Sequence, residues 1–178
     1  GYVDVSETRS IFYWFVEADV EDPTEAPTLL WTNGGPGCSG VGGSLSEMGP
    51  YRPNENGELV KNPYSWNEIA NVIFIEQPAG VGFSTNSKID GFAYGDKQAA
   101  QDNWEFVKGW MDRFDAYKKS PFYLTSESYG GHYIPTLAYE IVTHNVDKAV
   151  NFRGFAVGNP LTDMPYRNLG EIGTDGDH

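Results

Sequence analysis

LTSESYGGHYIP, residues 124–135, changes character in its middle. Leu124-Thr125-Ser126 closes an apolar run that begins at Phe122. From Ile134 onward the apolar residues recur at helical spacing, through Leu137, Ala138, Ile141 and Val142. The stretch reads as strand, sharp turn, helix, with Ser128 in the turn inside S-x-S-x-G. That pattern is close to the G-x-S-x-G turn that presents a serine nucleophile. Ser126 and Gly130 are small enough for the backbone to reverse without side-chain collision. The start of the following helix lies beneath Ser128, and its unpaired N–H groups favour developing negative charge. Pro135 falls early in the helix, where a missing N–H costs less than mid-helix.

Working outward, three further apolar runs predict strands: TLLW (28–31), NVIFIE (71–76) and FRGFAVGN (152–159). With FYLTS (122–126) they are near-continuous rather than alternating, the pattern of strands buried on both faces of a sheet. Val3–Val5 and Ile11–Ala18 predict two more strands around the polar turn Ser6–Arg9. A helix is expected within residues 99–114, where Ala99, Asn103, Phe106, Val107, Trp110 and Phe114 share one face. Strand–helix–strand–helix–strand implies right-handed crossovers and a largely parallel α/β sheet. No internal repeat, low-complexity tract or second domain is visible.

The chain has 178 residues, with 25 acidic against 12 basic side chains and a formal charge of −13. That balance argues against nucleic acid or an anionic membrane as partner and is compatible with work at acidic pH. No apolar run approaches the roughly 20 residues of a membrane span. The chain opens on a strand pattern, with no signal peptide in view, so it reads as starting within a domain. No N-x-S/T acceptor occurs, and Cys38 is the sole cysteine, so no disulfide forms within the chain.

WTNGGPGCSG (31–40) follows the TLLW strand. A glycine pair there can aim a backbone N–H at a substrate oxygen, the second donor coming from the residue after the nucleophile. These are the N–H groups of Gly35 and Tyr129. Taken alone, Gly34, Gly35 and Gly37 could equally form a tight turn, Asn33 a turn residue and Trp31 a core aromatic. Gly80 and Gly82 in QPAGVGFS lack the rest of either nucleotide fingerprint and are not read as a phosphate loop.

LLWTNGGPGCSG, SEMGPY, NVIFIEQPAGVGFS and LTSESYGGHYIP, in that order, together resemble the serine carboxypeptidase family. FVKGWMDRFDAYKKSPFYL and FRGFAVGNPLTD add to the resemblance, which spans nearly the whole chain. Two positions depart from the family: Ser126, usually glycine, and Thr32, often leucine. The resemblance implies an α/β-hydrolase fold, incomplete here, with residues 1–178 as the N-terminal part of one domain. It implies removal of a C-terminal residue from a peptide by way of Ser128, without cofactor or metal. Recognition of the free carboxylate falls to the Asn33 amide, supported by the Trp31 indole, with Gly34, Glu47 and Glu127 completing the site. Like charges held together favour protonation of one of them. A protonated glutamate can then donate to the substrate carboxylate, which implies a preference for acidic pH.

A serine nucleophile needs a base, and the base an orienting acid. In this fold they follow in the order Ser, Asp or Glu, His. His132 lies one turn beyond Ser128 on the same helix and reads as structural. His144 lies near the far end of that helix. His178 ends the chain, and Asp163, Asp175 and Asp177 follow only one strand after the elbow. The expectation is therefore a chain with nucleophile and oxyanion donors but without acid or base, inactive alone. The missing groups would come from downstream sequence or a second chain, which would also carry the partner that the family resemblance implies for Cys38; a free buried thiol is the alternative. Export to a secretory compartment is implied. An acyltransferase on the same scaffold and a non-catalytic binding protein remain as other readings.

Overall fold

The computed structural model describes residues 1–88 and 94–163. In chain order it contains β1 (Tyr2–Ser6), β2 (Arg9–Val16), β3 (Thr28–Thr32), α1 (Gly40–Ser46), β4 (Tyr51–Pro53), β5 (Leu59–Lys61), β6 (Asn71–Glu76), β7 (Thr85–Asn86), α2 (Asp96–Arg113), β8 (Phe122–Glu127), α3 (Gly130–His144) and β9 (Phe152–Gly158).

The main sheet runs β1-β2-β6-β3-β8-β9, with the short β7 on β2. Its first half is an antiparallel meander, with β1 on β2 and β2 on β6. From β6 onward every pairing is parallel, as the strand–helix alternation predicts. The register pairs Thr32 with Ser126 and Glu127 with Gly158, so β3, β8 and β9 all end at one rim. The segments leaving that rim are the loop 33–39, the turn at Ser128 and the loop after Asn159. Ligands of open parallel sheets bind at such carboxyl ends.

Strand alternation divides the interior in two. Ile73, Ile75, Leu30 and Leu124 face one side, where they pack with Phe106, Trp110 and Met111 of α2 and Ile134, Leu137 and Ile141 of α3. Trp31, Val72 and Phe74 face the other side with Met48. The helical stripe of α2 is the one its sequence predicts, with Ala99, Asn103, Phe106, Val107 and Trp110 buried. Asp96 in its first turn and Arg113 in its last complement the helix dipole. A bidentate ion pair ties the start of β2 to this helix: Arg9 Nε and Nη2 donate to Asp102 Oδ2 and Oδ1 at 2.6 and 3.0 Å.

Two sequence expectations need correction. The run 152–159 is not buried on both faces: Phe155 is 51% exposed, and Ala156 and Gly158 are exposed too. Among the described residues β9 pairs only with β8, so its hydrophobicity reflects a strand with one neighbour. The segment 40–61, in which the sequence predicts no element, holds α1 and the β4–β5 hairpin. Its glycines and exposed three-residue strands carry little periodicity. Among the described residues no helix is long and apolar enough to cross a membrane.

Candidate active site

Ser128 occupies the turn between β8 and α3 with φ of 56°. A non-glycine residue in that left-handed region is strained by about 1–2 kcal/mol. The surroundings hold it there. Its N–H donates to the Gly158 carbonyl at 2.9 Å, and its own carbonyl accepts from Gly131 N at 3.0 Å and Leu161 N at 2.8 Å. The turn is sterically committed on both sides. Ser126, with its hydroxyl donating to the Thr32 carbonyl at 2.6 Å, fills the space in front of Gly130. A Cβ on Gly130 would lie 1.9 Å from Ser126 Oγ. The serine at 126 is thus accommodated because residue 130 has no side chain. Ser128 lines an open cavity of about 350 Å³ with Asn159, Pro160 and Leu161.

The glycine loop lies directly against this turn. A Cβ on Gly34 would sit 2.6 Å from both the Glu127 carbonyl oxygen and the Tyr129 nitrogen. Gly35 follows with φ of 111°, which a side chain rarely adopts. Among the described residues neither the Gly35 nor the Tyr129 N–H donates a hydrogen bond. Two free backbone donors beside a strained serine are the arrangement that can stabilise an oxyanion.

Trp31, Asn33 and Glu47 form one hydrogen-bonded chain. The Trp31 indole donates to Asn33 Oδ1 at 2.8 Å. This fixes the amide so that Nδ2 donates to Glu47 Oε1 at 2.9 Å. One amide proton of Asn33 is left over. Glu127 reaches the same loop from the other side, where its Oε1 accepts from Gly34 N at 3.1 Å. All eight residues singled out in the sequence (Trp31, Asn33, Gly34, Gly35, Glu47, Glu127, Ser128 and Tyr129) therefore gather at one rim of the sheet.

A family model described as serine carboxypeptidase matches residues 1–172. The chain belongs to the serine carboxypeptidase family. It is 49% identical to serine carboxypeptidase-like 33 of Arabidopsis thaliana over 179 aligned positions, covering 96% of this chain and 37% of that protein. It is 44% identical to serine carboxypeptidase 24 of the same plant, covering 97% and 39%. Among solved structures it resembles Kex1(Δ)p, a prohormone-processing carboxypeptidase from Saccharomyces cerevisiae. That match has a TM-score of 0.77 and 27% identity, covering 97% of this chain and 42% of that one. The fold is that of the serine carboxypeptidase α/β-hydrolases. The chain thus spans 37% and 39% of the length of these two plant relatives.

Within the chain the described histidines behave as their positions suggest. The His132 ring lies tilted by 31° against the Tyr129 ring, with 4.7 Å between centres and Nδ1 3.9 Å from Asp96 Oδ2. His144, exposed at the C-terminal end of α3, pairs with Glu140 at 3.2 Å. Neither hydrogen-bonds Ser128. Asp163 is exposed beyond β9, and Asp175, Asp177 and His178 lie outside the described residues. Cys38 is exposed, which overturns the expectation of a buried thiol as its alternative state.

Three further residues shape the site and carry no motif of their own in the sequence. Glu76 is buried at the end of β6, where it accepts hydrogen bonds from the Ser39 hydroxyl and the Phe83 N–H. It thereby joins the glycine loop to the QPAGVGFS loop. A Cβ on Gly82 would collide with its carboxylate at 1.7 Å. The signal was a lone charge ending an apolar strand. Arg52, on β4, donates to the Glu47 carbonyl. Asp96, the first residue of α2, accepts from the Tyr129 hydroxyl at 3.1–3.2 Å. Burial first, and then the Asp96 charge, push the Tyr129 phenol above its ordinary value.

Proposed function

We propose that the protein removes C-terminal residues from peptides through an acyl-enzyme on Ser128. The observation that carries this reading is the fit of the glycine loop against the serine turn, with neither the Gly35 nor the Tyr129 N–H paired among the described residues. Ser128 Oγ attacks the scissile carbonyl carbon, and its proton passes to a base. The Gly35 and Tyr129 N–H groups bind the resulting oxyanion. Collapse of the tetrahedral species breaks the C–N bond. The leaving amine takes the proton and departs as the C-terminal residue. Water then attacks the acyl-enzyme, restores Ser128 and yields the shortened peptide.

The substrate carboxylate is recognised by the remaining Asn33 amide proton, with the Trp31 indole and Glu47 holding the amide in its orientation. Glu47 and Glu127 flank this position. Two ionised glutamates repel a third carboxylate, whereas a protonated one donates to it, so binding is strongest at acidic pH. Neither described histidine hydrogen-bonds Ser128. The reading therefore places the general base and its acid outside the described residues, in downstream sequence or a second chain, with residues 1–178 as the N-terminal part of one domain. The same outside segment carries a partner for the exposed Cys38. The protein is assigned to a secretory compartment, where such a disulfide persists.

A second reading is acyl transfer to an alcohol in place of water. The "-like" name of the relative at 49% identity accommodates it. The test is a full-length enzyme carrying this segment, offered blocked dipeptides and, separately, an activated acyl ester with an alcohol acceptor. Dipeptide cleavage with a KM that rises from pH 4 to 8 supports the peptidase. Ester product without dipeptide cleavage transfers the assignment to the acyltransferase. A KM that is flat across that range removes the glutamate account.

A further inference from the structure

Tyr129 carries an expected oxyanion donor on its backbone, yet its ring is poorly confined. The ring forms part of the wall of a cavity of about 340 Å³ between the glycine loop and α2, lined also by Pro36, Gly37 and Val81. Packing alone does not stop a ring that borders open space from swinging. Two contacts steady one edge, His132 at 4.7 Å and Tyr133 edge-on at 5.0 Å between ring centres. What holds the far end is the phenol oxygen, which lies 3.2 and 3.1 Å from the two carboxylate oxygens of Asp96. Asp96 is itself anchored as the first residue of an 18-residue helix. The raised titration of the phenol agrees with a hydroxyl that stays protonated and donates.

We infer that Asp96 is a positioning residue, which holds the Ser128–Tyr129 turn in register with the glycine loop by accepting the Tyr129 phenol hydrogen bond. This rests on the reading of the Tyr129 N–H as an oxyanion donor. It adds a tether in the first turn of α2, at a position outside every stretch that carries the family resemblance. Without the tether the ring can rotate into the cavity, and the peptide plane that aims the N–H loses its lever. Small angular errors matter here, because a donor must lie within hydrogen-bond reach of where the oxyanion forms.

The test compares Asp96→Ala, Asp96→Asn, Tyr129→Phe and the Asp96→Ala/Tyr129→Phe double variant. The first readout is amide hydrogen exchange in a full-length enzyme carrying this segment, at Ser128, Gly131 and His132, with Ile73 and Ile75 of β6 as internal controls. Loss of a hydrogen bond to a charged acceptor should speed exchange at the turn about tenfold in Asp96→Ala and in Tyr129→Phe. The double variant should be no worse than either, and the β6 amides should not move. Asp96→Asn keeps an acceptor oxygen and should stay near wild type. The second readout is kinetic, in a full-length enzyme carrying this segment, where kcat should fall about tenfold in the same two variants at unchanged KM. Wild-type exchange rates in Asp96→Ala and Tyr129→Phe would overturn the inference. So would an Asp96→Asn as disruptive as Asp96→Ala, which would assign the effect to charge, or a change confined to KM. A wild-type enzyme that cleaves no peptide would end the peptidase reading instead, and the exchange experiment would still decide the tether.

Discussion

Replacing Gly34 by alanine tests the fit between the glycine loop and the serine turn. The added Cβ would meet two backbone atoms at 2.6 Å, Glu127 O and Tyr129 N, with Ser128 Cβ at 3.1 Å. Ordinary contact begins at 3.4 Å, so the loop and the turn must separate by about 0.8 Å. Neither side yields easily. The loop is the continuation of β3, a central strand, and the turn is held by three backbone hydrogen bonds at 2.8–3.0 Å. Separation also stretches the 3.1 Å bond from Gly34 N to Glu127. Overpacking of this kind costs about 1–3 kcal/mol, and each kcal/mol lowers Tm by roughly 2–4 °C at this chain length. The catalytic effect should be larger. A Gly35 N–H displaced by that distance no longer reaches the oxyanion, and loss of one such donor costs about a hundred- to a thousandfold in rate. The assay is kcat/KM on a blocked dipeptide in a full-length enzyme, paired with thermal unfolding of the same variant. Gly57→Ala serves as the control, since Gly57 has φ of 79° with nothing within 4 Å of its added Cβ. It should lose stability through backbone strain and keep its rate. A Gly34→Ala enzyme that turns over at the wild-type rate would refute the assignment of this loop to the oxyanion.

Three further outcomes follow from the packing. Ser128→Gly removes the proposed nucleophile and also the strain of a serine at φ of 56°, so thermal unfolding should show an inactive protein stabilised by about 1 kcal/mol; a lower Tm would show that the turn is not strained. Asp102→Ala removes the 3%-exposed carboxylate to which Arg9, Tyr94 and Gln98 donate and leaves the Arg9 guanidinium without it. Urea unfolding should report a loss of about 3–5 kcal/mol, and a loss below ~1 kcal/mol would contradict a buried pair. The phenols of Tyr94, Tyr117, Tyr129 and Tyr133 are all pushed above their ordinary 10.0, in each case chiefly by burial. The folded state therefore retains these protons longer than the unfolded chain. Stability from this source is complete below pH ~10 and is lost as the pH rises beyond it. Melting curves should be unaffected by these groups up to about pH 9 and fall above pH ~10, with part of the phenolate absorbance appearing only on unfolding; a single titration of all tyrosines near 10 would remove the effect.

Much of this protein was legible in the linear sequence because its signals are local. The runs TLLW, NVIFIE and FYLTS became the central strands because each is apolar on both faces, and both faces are covered. The 3.6-residue stripes of α2 and α3 needed no knowledge of the sheet. The serine turn was readable because the switch from strand to helix and the small residues that permit it all fall within seven positions, 124–130. The glycine loop acquired meaning from its place after a strand, and the family resemblance then gathered Trp31, Asn33, Glu47 and Glu127 into one site.

What the tertiary structure alone decided involves partners far apart in the chain. Only the parallel register of β3 with β8, Thr32 opposite Ser126, brings Gly34 against the serine turn across 94 positions of sequence. Only the order of the sheet shows that β9, apolar as its sequence is, has a single neighbour among the described residues. Glu76 and Asp96 carry no periodicity, since a carboxylate that bridges two loops is defined by where those loops meet. Sequence records which residues a segment can bury or turn upon, because those are properties of neighbours along the chain. It does not record which oxygen a distant hydroxyl will find, because that depends on the closure of the whole sheet.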